Sequence, residues 1–130
     1  MNRKELQFLA SDSWLLLAII LAAGNDKANL VEIIAAGDGI NMAIFTEDEM
    51  ESGLYRLTVG GYVEEVGGEF RPTKITSEKY KELTKQKKSL INHMELLREF
   101  IGAQPWEVGG SVLRPEDKFK YPGFTKESFF

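Results

Sequence analysis

The stretch TEDEMESGLYRLTVGGYVEEVGGEFRPT, residues 46–73, decides how this chain folds. Thr46 followed by Glu49 has the spacing of a capping box, in which the threonine hydroxyl and the glutamate carboxylate satisfy each other's backbone N–H. Met50, Leu54 and Leu57, four and then three residues apart, put one apolar stripe on the helix that follows. Gly60-Gly61 ends that helix. Gly67-Gly68 then separates Tyr62-Val63-Glu64-Glu65-Val66 from Glu69-Phe70-Arg71, and a two-glycine turn accepts the positive φ that a tight hairpin needs. Pro72 closes the second strand. The stretch reads as helix, break and hairpin, and it is acidic: residues 46–70 carry seven carboxylates against one cation, Arg56.

Upstream, Ser11 or Asp12 is placed to cap a first helix whose body, WLLLAIILAA at residues 14–23, is apolar nearly all round. That pattern belongs to a helix covered on several sides. Its ten residues are half of the roughly 20 that a bilayer span requires, and Asp12 and Ser13 interrupt any signal-peptide pattern running from Arg3 and Lys4. No membrane partner is expected. Asn29 and Glu32 repeat the capping-box spacing and open a short second helix through Leu30, Val31, Ile33 and Ile34, which Gly37-Asp38-Gly39 stops. Residues 40–45, INMAIF, are too apolar to hang in water and read as a link packed on the core, either extended or as a helical turn.

Downstream, Thr76 or Ser77 starts a long helix reaching about Gly102. Along it Tyr80, Leu83, Lys87, Leu90, Met94, Leu97 and Ile101 alternate at spacings of three and four, the pattern of a coiled-coil seam with one lysine in it. Two readings stand: a seam between two copies, favoured because so long a helix overhangs so small a core, and a helix packed along its own domain with Ile91, Leu96 and Phe100 beside the stripe. Beyond Gln104-Pro105 the large apolar residues, among them Trp106, Phe119, Tyr121, Phe124, Phe129 and Phe130, lose all period. Each would forgo about 1.5–3 kcal/mol if left in water, so this tail reads as an arm over its own body or a neighbour.

At 130 residues and 43% hydrophobic, the chain is sized for one globular domain. The absence of cysteine excludes disulfides, thiolate metal sites and cysteine nucleophiles, and it fits a reducing compartment, with the cytoplasm as the default. The net charge of −4 hides a division, because residues 71–100 carry eight cations against four carboxylates immediately after the acidic stretch. Acidic and basic blocks side by side permit pairing within a chain or between copies.

Three helices, a hairpin and a long helix with a heptad stripe together resemble the winged-helix transcriptional regulators of the PadR and MarR type. The run Ile40-Asn41-Met42-Ala43-Ile44-Phe45-Thr46 is also similar to a group of uncharacterised bacterial winged-helix proteins. The resemblance covers about residues 8–102 and implies an α+β, mostly helical fold: a winged helix-turn-helix with a long C-terminal helix and an aromatic-rich C-terminal arm. It divides the chain into a winged-helix domain over residues 1–75, a dimerisation helix over 76–103 and an arm over 104–130. The family's reading helix then corresponds to residues 46–59 and its wing to residues 63–73. The recognition-helix surface becomes Glu47, Asp48, Glu51, Ser52, Tyr55 and Arg56, the wing Glu65, Gly67, Gly68, Glu69 and Arg71, and the dimer seam Tyr80, Leu83, Leu90, Met94, Leu97 and Ile101.

Charge strains the family's usual function. DNA affinity rests largely on Lys and Arg that neutralise phosphates and release counterions, and carboxylates on helix and wing would approach those phosphates instead. Glu47, Asp48 and Glu49 also have a structural reason to be there, since negative charge in a first turn complements the helix dipole by about 0.3–1 kcal/mol. The alternative nucleic-acid contacts are Arg56, Arg71, Lys74, Lys79, Lys81, Lys85 and Lys88, although lysines alternating with glutamates usually mark a solvated helix face.

Catalytic chemistry finds little to rest on. His93, the only histidine, reads as a partly exposed helix residue with no sequence neighbour to orient it. The carboxylates lack calcium-loop spacing, no histidine pair exists for zinc, and Gly37-Asp38-Gly39 follows a helix without a phosphate-loop lysine. A ligand pocket lined by Trp106, Phe119 and Tyr121 would need no motif at all. The expectation is a non-enzymatic, cofactor-free, cytoplasmic winged-helix homodimer, regulatory or adaptor in role, working through protein contacts; the alternative is a DNA-binding transcriptional regulator.

Overall fold

The computed structural model describes residues 6–85 and 89–105. In chain order they form α1 (Ala10–Ala23), α2 (Leu30–Asn41), α3 (Glu47–Val59), β1 (Val63–Val66), β2 (Glu69–Pro72), α4 (Lys74–Thr84) and α5 (Leu90–Ile101). The fold is α+β and mostly helical, with five helices and one two-stranded antiparallel sheet among the described residues. Three helices leading into a hairpin are compatible with a winged-helix layout.

An all-round apolar helix needs neighbours on every side, and α1 has them in α2, α3, α5 and β2. Leu15, Leu16, Leu17, Ala18 and Ile19 are wholly removed from water, which makes α1 the axis of the core. The helix begins earlier than Ser11 or Asp12 capping would place it. Leu9 occupies the N-cap position in an extended conformation, and Asp12, inside the first turn, reaches back so that its Oδ2 accepts the Leu9 N–H at 2.8 Å. One carboxylate thus satisfies an otherwise orphaned donor from within the helix.

The capping box opening α2 forms with both bonds in place, Glu32 N–H to Asn29 Oδ1 at 2.8 Å and Asn29 N–H to Glu32 Oε1 at 2.9 Å. Contrary to expectation, α2 runs through Gly37-Asp38-Gly39 and ends only after Asn41, where Met42 turns left-handed at φ 53°. Gly37 is a point of close approach, not a stop. A Cβ there would lie 2.3 Å from the Phe45 ring, and the Gly37 carbonyl accepts the Trp14 indole N–H at 2.8 Å. The apolar link is therefore helical as far as Asn41 and irregular beyond it, held by Phe45, whose ring centroid lies 3.9 Å from that of Trp14.

The Thr46–Glu49 box opens α3 with bonds of 2.8 and 3.1 Å, and Met50, Leu54 and Leu57 turn into the core. The hairpin turns at Gly67 (φ 61°) and Gly68 (φ 84°), pairing Val63 with Pro72, Glu64 with Arg71, Glu65 with Phe70 and Val66 with Glu69. On the far side of β2, Ala28 and Phe70 exchange backbone bonds of 2.8 Å in both directions, so the turn between α1 and α2 is stitched to the hairpin.

The single long helix is corrected to two. α4 begins at Lys74 and ends at Thr84, and α5 starts afresh with Ser89 as an extended N-cap whose hydroxyl accepts the Asn92 N–H at 3.1 Å. The two helices pack together, and α5 lies on α1. Leu83, Met94, Leu97 and Ile101, four of the expected seam positions, are buried within the chain itself. Covering the apolar α1 takes these side chains out of water without a second copy, and a straight helix projecting from the domain would have left that side of α1 open. Tyr80 is half-buried, while Leu90 and Ile91 stay exposed. Lys87, Lys88 and the arm from Trp106 onward lie outside the described residues. Among the described residues no helix is long and apolar enough to cross a membrane.

Candidate functional site

With Met50, Leu54 and Leu57 inward, the opposite side of α3 presents Asp48, Glu51 and Tyr55 to solvent, flanked by the half-buried Glu47 and Ser52. Ser52 Oγ donates to Asp48 at 3.1 Å. Glu49, turned sideways by the capping box, sits where burial pushes its carboxyl above the usual carboxylate value, against the opposing hydrogen bonds from Thr46 and with Asp48 and Asp12 adding like-charge repulsion.

Arg56 does not join that outer surface. Its Nε donates to Asp12 Oδ2 at 2.7 Å and its Nη2 to Asp12 Oδ1 at 2.9 Å, a bidentate fork on a carboxylate that is fully buried. Gly53 makes room for the pair, since a Cβ there would lie 2.9 Å from Asp12 Oδ1 and 2.7 Å from the Leu15 side chain. The pairing was missed from the sequence, where Arg56 is assigned to the recognition surface and to the nucleic-acid contacts. A signal existed: Asp12 is a carboxylate leading directly into the most apolar run of the chain, and a buried charge demands a partner.

On the hairpin, Arg71 pairs across the strands with Glu64 at 2.6 Å, and Lys27 reaches Glu69 at 3.9 Å. Glu47, Asp48, Glu51 and Glu65 have no cation within ion-pair distance among the described residues. Between α3 and the hairpin runs a groove of about 360 Å³. Leu54, Val59 and Phe70 contribute its apolar surface, and Glu51, Tyr55 and Glu65 its polar and aromatic groups. Structure thus brings together acidic residues that the sequence assigned separately to helix and wing.

The lysines are dispersed. Lys74 lies 3.8 Å from Glu78, and Lys79 lies 3.5 Å from Glu82 while also standing 5.9 Å over the Phe100 ring. Lys81 faces a second groove, about 470 Å³, which it shares with Arg71, Asp26 and Tyr80. Lys85 is exposed past the end of α4. His93 is buried, unlike its expected half-exposed position, and its Nδ1 is hydrogen-bonded to the Tyr80 hydroxyl at 3.1 Å across the α4–α5 contact. Burial raises the Tyr80 pKa, so its phenol stays neutral at physiological pH. The aromatic pocket expected from Trp106, Phe119 and Tyr121 falls on residues outside those described. Comparison with protein-family models, curated proteins and solved structures finds no match for the chain.

Proposed function

We propose that this chain is a non-enzymatic winged-helix module of the cytoplasm, regulatory or adaptor in role, whose α3 and hairpin face engages another protein. The observation that supports it is the engagement of Arg56 by Asp12. With its one cation turned inward, α3 offers solvent Asp48 and Glu51, with Glu47 beside them, and the hairpin adds Glu65. A polyanion approaching this face meets uncompensated carboxylates, whereas phosphate binding needs lysines and arginines held free. The exposed ring of Tyr55 and the apolar surface beside it suit a protein partner, since interfaces concentrate aromatic contacts.

The competing reading, a winged-helix DNA-binding regulator, rests on Arg71 and Lys74. Titration of labelled mixed-sequence duplex DNA at low salt separates the two. No saturable, salt-sensitive binding is expected; such binding, weakened by Arg71→Ala and Lys74→Ala, would overturn the proposal. Homodimerisation has less support than protein contact in general, because Leu83, Met94, Leu97 and Ile101 are already covered by their own chain. Exposed Leu90 and Ile91 are what α5 has left to offer a second copy, and sedimentation of the intact chain reads that directly.

A further inference from the structure

Resting on the protein-contact reading, we propose that the groove between α3 and β1 receives an extended, basic segment of a partner protein, bridged to the outward backbone of Glu65 in β1. The backbone accounting comes first. Both the N–H and the C=O of Phe70 are bonded to Ala28, and in an antiparallel ladder the two groups of one residue point the same way. Phe70 stands opposite Glu65 in the register, so theirs is a non-hydrogen-bonded pair, and the N–H and C=O of Glu65 point away from β2. Val63, two residues earlier and opposite Pro72, which has no N–H, has the same orientation, but at 1% exposure its backbone groups are covered. Glu65 is exposed and has no backbone bond on that outer side among the described residues. β1 therefore offers one outward donor and acceptor, the anchor for a β-bridge to an extended chain laid along the groove.

Side chains then select the occupant. Glu65 and Phe70, directly opposed, share one face of the hairpin, and that face borders the groove together with Glu51 and Tyr55 of α3. An extended segment bridged at Glu65 would lay alternate side chains over this same face. Lysine or arginine there meets two carboxylates that have no ion-pair partner among the described residues and an exposed aromatic ring, which attracts cations as well, while apolar groups beside it reach Val59 and Leu54. The α4 helix of a second copy fits poorly: its Lys74 and Lys79 already face Glu78 and Glu82, and a helix leaves an outward strand residue unpaired. Charge on a short edge strand ordinarily guards against indiscriminate pairing; negative charge here restricts pairing to a basic strand.

The probe is a capped, labelled peptide of alternating lysine and valine, titrated into the full chain and followed by fluorescence anisotropy and by backbone NMR. Shifts at Val63–Val66 and Tyr55 are expected, with affinity reduced about tenfold in the Glu51→Gln, Glu65→Gln double variant. Both substituted side chains are exposed, so the fold should persist, as its spectrum will show. N-methylation of alternate peptide amides should weaken binding as well, and a glutamate–valine peptide should not bind. Binding that maps to other residues, unaltered affinity in the double variant, or no binding at all overturns the groove. The first of these leaves the broader protein-contact reading standing. Duplex DNA that displaces the peptide from the same residues overturns both.

Discussion

Two arginine–carboxylate pairs of nearly equal length play different parts in this molecule. Arg56 Nε lies 2.7 Å from Asp12, and Arg71 Nε lies 2.6 Å from Glu64. The side chains of the first pair are 17% and 0% exposed, and both of the second are 46% exposed. Length is therefore no guide to consequence; surroundings are. A fully buried carboxylate left alone has no water to return to, whereas an exposed pair exchanges its bond for hydration at little cost. Arg56 is a structural tie between α1 and α3, and Arg71 is a surface group that a ligand can compete for.

The largest effect should follow from breaking the buried pair. Arg56→Ala is expected to cost about 3–5 kcal/mol in chemical denaturation, because it strands Asp12. Replacing both partners, Asp12→Leu with Arg56→Leu, should recover much of that loss. A cost for Arg56→Ala no greater than that of Arg71→Ala would erase the distinction. Next comes Gly53→Ala, whose added Cβ must push aside Leu15 and Asp12; a loss of about 1–3 kcal/mol is expected. Arg71→Ala should cost under about 1 kcal/mol, and less still in high salt.

The smallest effect concerns Glu49, whose folded-state carboxyl lies near enough to Asp12 to be repelled by it. Because its pKa is raised on folding, the folded chain holds that proton more tightly than the unfolded chain does. Its contribution to stability is complete below the unfolded value of 4.5 and is lost as pH rises through the raised folded value. Glu49→Gln removes this dependence, so the stability of the variant relative to the native chain should increase as pH is raised across that window. Urea midpoints of the two proteins, measured in parallel, would reveal the opposite trend if burial did not govern the group.

What was legible in the sequence acts over a few residues. The boxes Thr46–Glu49 and Asn29–Glu32, the stripe of α3 and the Gly67-Gly68 turn all depend on near neighbours, and all stand as the residue spacing suggests. What was illegible depends on distant ones. Gly37 looked like a helix stop because the ring it accommodates, Phe45, belongs to the following link. The stripe from Tyr80 to Ile101 could not say what covers it: Leu83, Met94, Leu97 and Ile101 are buried within the chain and Leu90 is exposed, while Lys87 keeps the sequence period unbroken between the residues of α4 and those of α5. For the candidate site, the excess of carboxylates was plain from composition. The turning of Arg56 toward Asp12, 44 positions away, and the outward backbone of Glu65 were not, because each is decided by elements that only the folded chain brings together.

The reciprocal bonds between Ala28 and Phe70 make the two edges of the hairpin unequal in time as well as in space. An amide held between the α1–α2 turn and β2 exchanges its hydrogen only when segments remote in sequence part company, so the Phe70 amide should follow the cooperative opening of the core. The Glu65 amide, one strand away and facing outward, needs no such event and should exchange early. Within one four-residue-by-four-residue hairpin, deuterium would thus mark a boundary between the part of the molecule that opens as a whole and the rim on which a visitor can be received.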